Sequence, residues 1–577
     1  MGGNLIMEEL ALPVECLFLD RINVADQEDA EERQHAGEYQ TAAFEEHFLV
    51  HHGPRVEEDH LDVEQDEQHC DQVKFDGHPR GASALGQHAA FVGRILHLIG
   101  MRPLADQLGN NEISGGKCYG HTKQDQHRQI LDELTFHALF VRAARGGVQR
   151  KPTLVLGHDA RFLGRDFSLA VAEVLEANGF TALLCDRDTP TPVISHTIRV
   201  RKALGGINMT ASHNPAEYQG LKYSLHNGAP ASLEVTQKIE AHIAKRQTKN
   251  WQFQGSVIGT YTCKEIDPMP AYFKRIRQLV DFEAIQKAKL KIAVELMYGA
   301  GRGYLDTLLK DAGVKVTCFH DFSNPLFGGQ PPEPNAEGMT EAAACVAAGK
   351  AQFALGLDGD ADRFGVVDKD GTWLTPNQIL ALTLYHLKKN RRWTGAAVRT
   401  VPTSHMIDAI AAHLGVPLHE TPVGFKYIGA LMESEPIIVG GEESGGLSVK
   451  GHVPEKDGIL ACLLMAELVA VERKPLGKIL KQLEKHIGEF HTDRINIHIN
   501  PAQKTAMLDR LAQGLDKIGT TPVQEFITTD GYKFLLPNGE WVAFRASGTE
   551  PVVRCYLETK SAARMKTLKS ACRKILK

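Results

Sequence analysis

The chain has 577 residues, 43% hydrophobic and 24% charged, with 65 Lys and Arg against 71 Asp and Glu for a formal charge of -6. At roughly 150 residues per domain, this length is enough for about four domains, and so even a charge balance supplies no basic footprint for nucleic acid. The ten cysteines form no C-x-x-C pair, which argues against a zinc module or a dense disulfide framework and reads as reduced, mostly buried thiols.

No run of about 18 apolar residues exists; the most apolar stretch, 458–471, is interrupted by Glu467, so no membrane span is expected. The N-terminus lacks a basic region and is broken by Glu8 and Glu9, a poor signal peptide, so a cytoplasmic location is the default. Residues 1–135 differ in texture from the rest: positions 1–130 hold 11 of the 26 His and 11 Gln but 3 Lys. Segments such as 65–72 show neither a period of 2 nor of 3.6, so no core-facing stripe can be drawn and a regular domain is not expected there. His51, His52 and His60 cluster without an H-x-x-x-H spacing, so they are not read as a metal site.

From about residue 150 the pattern becomes a repeated strand, turn, helix, Gly, strand grammar. It runs TLVLG (153–157), a turn with Arg161, helix FSLAVAEVLEAN, Gly179 and TALLC; then KLKIAVELM, a Gly-rich turn at 299–303, helix YLDTLLKDA, Gly313 and VKVTCF; then AAVRTV, a turn at 402–405, helix MIDAIAAHL, Gly415 and VPLHE. Each Gly stands where a helix C-cap needs a left-handed residue. The last 90 residues read differently: strand 494–499, helix 501–515, strands 532–535, 541–545 and 552–558, and a helix over 562–576. The fold class is therefore α/β, with three successive mixed α/β/α domains over 136–255, 256–370 and 371–488 and a C-terminal α+β domain over 489–577.

Four loops carry chemistry. Thr210-Ala211-Ser212-His213-Asn214-Pro215 offers a hydroxyl nucleophile at Ser212, with His213, Asn214 and the later Lys222 as donors for an anion; no G-x-S-x-G elbow surrounds it. Asp358-Gly359-Asp360-Ala361-Asp362-Arg363 lies between the apolar runs FALGL and FGVV, hence between two strands. Its three alternate carboxylates suit a hard cation, and an EF-hand fails because Arg363 and Lys369 stand where Gly and Glu are required. That pattern points to Mg2+ assisting phosphoryl transfer. Glu442, Glu443 and Ser444, held between glycines, can hydrogen-bond sugar hydroxyls or form a surface turn. Arg545, Ser547, Gly548 and Thr549 form a plausible phosphate nest between two strands. A dinucleotide fingerprint fails at Tyr304, and no Walker A sequence exists, so nucleotide binding is not indicated.

Together these loops resemble one family, the α-D-phosphohexomutases, over about residues 150–577, because TASHNP, DGDADR, GGEESGG and RASGTEP occur in the family's order, one per domain. The resemblance implies four domains around a central cleft, Ser212 as the phosphoserine, and Asp358, Asp360 and Asp362, with Ser212, as ligands of Mg2+. It further implies Arg363 beside the metal, Lys222 in proton transfer, Glu442, Glu443 and Ser444 on the sugar, and Arg545, Ser547, Gly548, Thr549 and Lys426 on phosphate. The reaction it implies is interconversion of hexose 1-phosphate and hexose 6-phosphate through a hexose 1,6-bisphosphate that also serves as activator, in a monomer or homodimer. Gly446 stands where some mannose- and glucosamine-type relatives carry His, which favours glucose phosphate, with mannose phosphate retained as a further substrate. A phosphoglucosamine mutase or a catalytically impaired sugar-phosphate binder are the competing readings. The family's first strand and Gly/Arg-rich segment are not found in residues 1–149, so a replaced N-terminus or a frame artefact is expected there.

Overall fold

The computed structural model describes residues 12–13, 152–247, 263–546 and 552–575. Apart from Leu12–Pro13, which pair with Tyr218–Gln219, the expectation for residues 1–135 lies outside the described residues. Apolar runs become buried parallel strands, because helices cover both faces and leave no solvated side to demand alternation.

In the first domain β1 (Thr153–His158), α1 (Gly164–Ala177), β2 (Thr181–Cys185), α2 (Thr191–Arg201), β3 (Gly205–Met209) and β4 (Leu221–Leu225) are followed by α3 (Leu233–Gln247) and β5 (Lys264–Ile266). The sheet order is β4-β3-β1-β2-β5, parallel except for β4. Because β5 is its edge, this sheet draws on chain beyond residue 256.

The second domain runs α4 (Met269–Leu279), α5 (Phe282–Ala288), β6 (Lys291–Glu295), α6 (Leu305–Asp311), β7 (Lys315–Phe319), α7 (Thr340–Ala347), β8 (Phe353–Leu357), β9 (Phe364–Val367) and β10 (Trp373–Leu374). Its sheet order is β10-β9-β8-β6-β7. The third comprises α8 (Pro376–Tyr385), β11 (Ala396–Thr400), α9 (Met406–Leu414), β12 (Leu418–Thr421), α10 (Phe425–Ser434), β13 (Ile437–Gly441), β14 (Leu447–Val449), α11 (Gly458–Glu472) and α12 (Leu476–Ile487), with order β12-β11-β13-β14. The expected capping glycines Gly179, Gly313 and Gly415 all have positive φ, at 81°, 72° and 63°. At helix N-termini side chains act as caps: Thr375 and Gln378 form a capping box at α8, and Asp457 Oδ1 accepts from Leu460 N at the start of α11.

The C-terminal domain contains β15 (His491–His498), α13 (Pro501–Ala512), β16 (Glu525–Ile527), β17 (Tyr532–Leu535), β18 (Trp541–Ala546), β19 (Val552–Thr559) and α14 (Ala562–Ile575). Its antiparallel sheet, in order β15-β19-β18-β17-β16, buries Phe534, Val542, Phe544 and Leu557 in one core, each such side chain contributing about 1.5–3 kcal/mol of burial.

One topological rule places the chemistry. In each α/β domain the sheet changes from parallel to antiparallel at one hairpin: β3 to β4, β8 to β9 and β13 to β14. The three α/β-domain loops singled out from sequence are these hairpins, each leaving the carboxyl end of a parallel strand, where α/β folds open their crevices.

Candidate functional site

Ser212 is buried and adopts φ 52°, a left-handed conformation that costs a residue bearing a Cβ about 1–3 kcal/mol and is sustained only by its surroundings. Those surroundings come from β1. Because β1 lies parallel beside β3, the turn after His158 falls against the turn after Met209, and Asp159 N donates to Met209 O. Thr210 Oγ1 donates to Asp159 Oδ2 at 2.7 Å and accepts from Ser212 N at 2.9 Å. Arg161, 3% exposed, pairs through Nε with Asp159 Oδ2 and donates to the carbonyls of Ser212 (2.7 Å), Asn214 (2.6 Å), Pro215 (2.7 Å) and Tyr218 (3.0 Å). A planar five-donor fork is the one side chain that can gather so many carbonyls. Sequence reasoning noted Arg161 only as part of a turn; a cation at the end of the strand beside the serine strand was its one signal.

The aspartate loop meets this serine loop. Ser212 Oγ donates to Asp358 Oδ2 at 3.3 Å. A Cβ on Gly359 would stand 2.9 Å from Ser212 O and 3.0 Å from Pro332 Cγ, so only glycine permits this approach. Asp358, Asp360 and Asp362 are almost fully buried, and an oxygen of each lies within 4.8 Å of the others. Lys222 Nζ, on β4, contacts Asp360 Oδ2 at 2.9 Å and Asp362 Oδ2 at 3.2 Å; Lys456 Nζ contacts Asp362 Oδ2 at 3.2 Å. Thr191 Oγ1 donates to Asp360 Oδ2 at 2.6 Å. Arg363 N donates to Asp358 Oδ1 at 2.9 Å, and its Nε stands 3.9 Å from Asp362 Oδ1.

The electrostatics divide the trio. Burial, reinforced by the carboxylates of Asp360 and Asp362, pushes the Asp358 carboxyl well above its usual range. Burial also opposes ionisation of Asp362, but Lys222, Lys456 and Arg363 outweigh it and hold that carboxyl low. Burial and the Arg363 guanidinium keep the His213 imidazole neutral. Asp360 Oδ1 and Asp362 Oδ1 are buried without a hydrogen-bond partner, a state that costs about 1–3 kcal/mol per group unless something satisfies it. Three hard oxygen donors, two of them with a buried orphan atom, fit a divalent cation of the Mg2+ type.

The remaining groups line the same cleft, about 1040 Å³, whose walls include His213, Lys222, Arg363, Lys426, Glu442, Glu443, Ser444, Lys456 and Arg545. Glu442 Oε1 accepts from Gly424 N at 2.9 Å, and Glu443 N donates to Thr403 Oγ1 at 3.1 Å, so the turns after β12 and β11 prop this hairpin as the turn after β1 props the serine loop. Lys426 lies in the first turn of α10 with Nζ 5.5 Å from the Tyr427 ring centre. Arg545 is the penultimate residue of β18 and is held by Asp530. Ser547, Gly548 and Thr549 fall outside the described residues. Thr191, Lys456 and Asp530 were missed in sequence, since each stands outside the loops that carry the motifs.

Comparison with known proteins agrees with this geometry. The family models "Phosphoglucomutase/phosphomannomutase, alpha/beta/alpha domain I", "domain II" and "domain III" match residues 123–250, 270–371 and 375–486, and the "C-terminal domain" model matches 468–575. The first match therefore starts ahead of residue 136. A phosphoglucomutase/phosphomannomutase of Thermococcus kodakarensis is 31% identical over 440 residues, covering 74% of this chain and 90% of that protein. Human phosphoglucomutase-1 is 28% identical, covering 71% and 84%. The crystal structure of a phosphomannomutase described as putative, from Thermus thermophilus, superposes with a TM-score of 0.67 at 32% identity over 78% of this chain and 94% of that one. Among the described residues no helix is long and apolar enough to cross a membrane. With all four domains matched in order and the serine, aspartate and Glu-bearing hairpins lining one cleft, the chain belongs to the α-D-phosphohexomutase family of phosphoglucomutases and phosphomannomutases.

Proposed function

We propose that the protein interconverts hexose 1-phosphate and hexose 6-phosphate, with glucose phosphate as its preferred substrate, through a phosphorylated Ser212. The observation that carries this reading is the contact of Ser212 Oγ with Asp358, made between two hairpins whose adjoining residues His213, Asp362 and Arg363 line one cleft with Lys222, Lys426, Lys456 and Arg545. In the forward half, the free sugar hydroxyl attacks the phosphorus on Ser212 and the bond from phosphorus to Oγ breaks; the Lys222 ammonium gives a proton to the departing Oγ and is restored by the proton that the sugar hydroxyl loses. The resulting hexose 1,6-bisphosphate reorients and returns its other phosphate to Ser212 Oγ. Asp358, Asp360 and Asp362, with the phosphorylated Ser212, would hold Mg2+, which when bound would neutralise phosphate charge. Arg545 and Lys426 hold the phosphate that is not reacting, and Glu442, Glu443 and Ser444 orient the ring.

Preference for glucose draws support from the packing at Gly446. A Cβ there would lie 2.3 Å from Lys456 Cδ and 2.6 Å from its Cγ, so the Lys456 stem occupies the space into which a side chain at 446 would project. The test is conversion of glucose 1-phosphate to glucose 6-phosphate with Mg2+ and a trace of glucose 1,6-bisphosphate, with Ser212→Ala as control and intact-mass detection of phosphoserine. Turnover and phosphate in the parent, with both lost in the variant, is the expected result. A parent that binds hexose phosphate yet never carries the phosphate or turns over refutes a mutase and leaves a sugar-phosphate binder; faster turnover of glucosamine phosphate refutes the glucose preference.

A further inference from the structure

Beside the aspartate loop, where the first three domains meet, lies a group of buried polar side chains that the proposed reaction does not use. Asp457 is fully buried, stands at the N-terminus of α11 and directly follows Lys456. Its carboxylate accepts from Tyr272 Oη on α4, at 2.8 Å to Oδ2 and 3.0 Å to Oδ1, and from Leu460 N at 2.9 Å. His452 Nε2 stands 2.7 Å from Oδ2 and donates, since a carboxylate can only accept. Burial, with Asp457 beside it, pushes the Tyr272 hydroxyl well above its usual range, so it stays protonated and remains a donor. The tyrosine ring is itself packed edge-on to His196 of α2 at 6.0 Å and to Tyr304 at 6.1 Å.

This anchorage sets the start of α11 directly against the aspartate loop. Gly458 N donates to Ala361 O at 3.2 Å, and a Cβ on Gly458 would stand only 2.2 Å from Arg363 O. One residue before Asp457, Lys456 Nζ reaches Asp362 Oδ2 at 3.2 Å, the same oxygen that Lys222 holds. With both ammonium groups on Oδ2, the buried Oδ1, which has no hydrogen-bond partner, is the oxygen left for a cation. Asp360 repeats the pattern: Thr191 and Lys222 take its Oδ2 and leave its Oδ1. Groups that hold the outer atom of a metal ligand fix the direction of the inner one. We infer that Asp457, held by Tyr272 and His452, is a positioning residue that aims the Lys456 ammonium at Asp362 and so presents Asp362 Oδ1 to a divalent cation. This rests on the reading that the aspartate loop takes Mg2+. Asp457 acts through Lys456 and through the backbone of residues 361–363, and Tyr272 and His452 act through Asp457.

The test uses the full chain with Tyr272→Phe, Asp457→Asn, Lys456→Met and the double variant Lys456→Met with Asp457→Asn. Calorimetry with Mg2+ alone gives the Kd, amide exchange without metal reads residues 358–364, and thermal melting reads global stability. Loss of a group that orients a metal ligand weakens binding about 10–100-fold, and Lys456→Met is expected in that range. Asp457→Asn should weaken it about tenfold, and Tyr272→Phe, which deletes one hydroxyl, about threefold. In the Lys456→Met background Asp457→Asn should add less than about twofold, because residues that act through one contact are not additive. Tyr272→Phe keeps the ring and its packing, so it decides the matter should Asp457→Asn fail to fold. A lower melting temperature with unchanged Mg2+ affinity would make the cluster structural and overturn the inference. So would tighter binding, or a full further loss from Asp457→Asn in the Lys456→Met background. Should the parent bind no Mg2+, the metal reading itself fails; faster exchange over 358–364 in Asp457→Asn would then still show that Asp457 holds the loop, and unchanged exchange would refute that too.

Discussion

Replacing Arg161 by Met exposes how far Ser212, the proposed nucleophile, depends on a residue outside its own loop. The variant removes one ion pair with Asp159 and four charge-assisted hydrogen bonds to the carbonyls of Ser212, Asn214, Pro215 and Tyr218. Hydrogen bonds to charged groups net about 1.5–3 kcal/mol each, but their full sum overstates the effect, because a loosened loop turns its carbonyls to water. Removing one side of a buried ion pair costs about 3–5 kcal/mol, and that is the expected loss of unfolding free energy. It is a large part of the roughly 5–15 kcal/mol of a typical domain. Turnover is expected to fall further than stability suggests, since about 1 Å of misplacement at a reacting atom costs on the order of a hundredfold. Arg161→Lys keeps the charge but not the fork, so it should restore part of the stability and little of the turnover. Urea unfolding at neutral pH, amide exchange over residues 211–219 and the coupled mutase assay read the three effects. A stability change below about 1 kcal/mol with unchanged exchange in that segment would refute the claim that Arg161 holds the serine loop.

Gly359→Ala places a methyl 2.9 Å from Ser212 O and 3.0 Å from Pro332 Cγ; a cost of about 1–3 kcal/mol and a marked rise in the Mg2+ concentration needed for half-maximal turnover are expected, and normal Mg2+ dependence would count against the close approach. Glu455, 4% exposed, is pushed by burial from 4.5 up to about 8, with Lys456 opposing. Between about 4.5 and about 8 the folded chain holds a proton that the unfolded chain has lost. Metal-free stability should therefore fall as pH rises through that window, by up to about 1.4 kcal/mol per pH unit from this group, with the full cost present above about 8. Glu455→Gln should flatten that slope and stabilise the protein at pH 8; identical urea midpoints in the two proteins across the window would remove Glu455 as the cause.

The α/β class, the helices around 164–177, 305–311 and 406–414 with their capping glycines, and the loops that bear the candidate residues are legible in the order of amino acids alone. Those features are local: periodicity, a left-handed cap and three alternating carboxylates are all written within a dozen residues. Tertiary structure decided which distant residues complete the site. Arg161 reaches the serine loop only because β1 pairs with β3, Thr191 and Lys456 reach the aspartate loop from the first and third domains, and Asp530 bridges the third and fourth. None of these belongs to a motif, because a single donor needs no neighbours in sequence when the fold supplies its acceptor. The same holds for charge. Alternate aspartates announce a cation site, yet whether each carboxylate is held charged depends on burial and on Lys222, Lys456 and Arg363, which converge on the loop only after three domains have packed together.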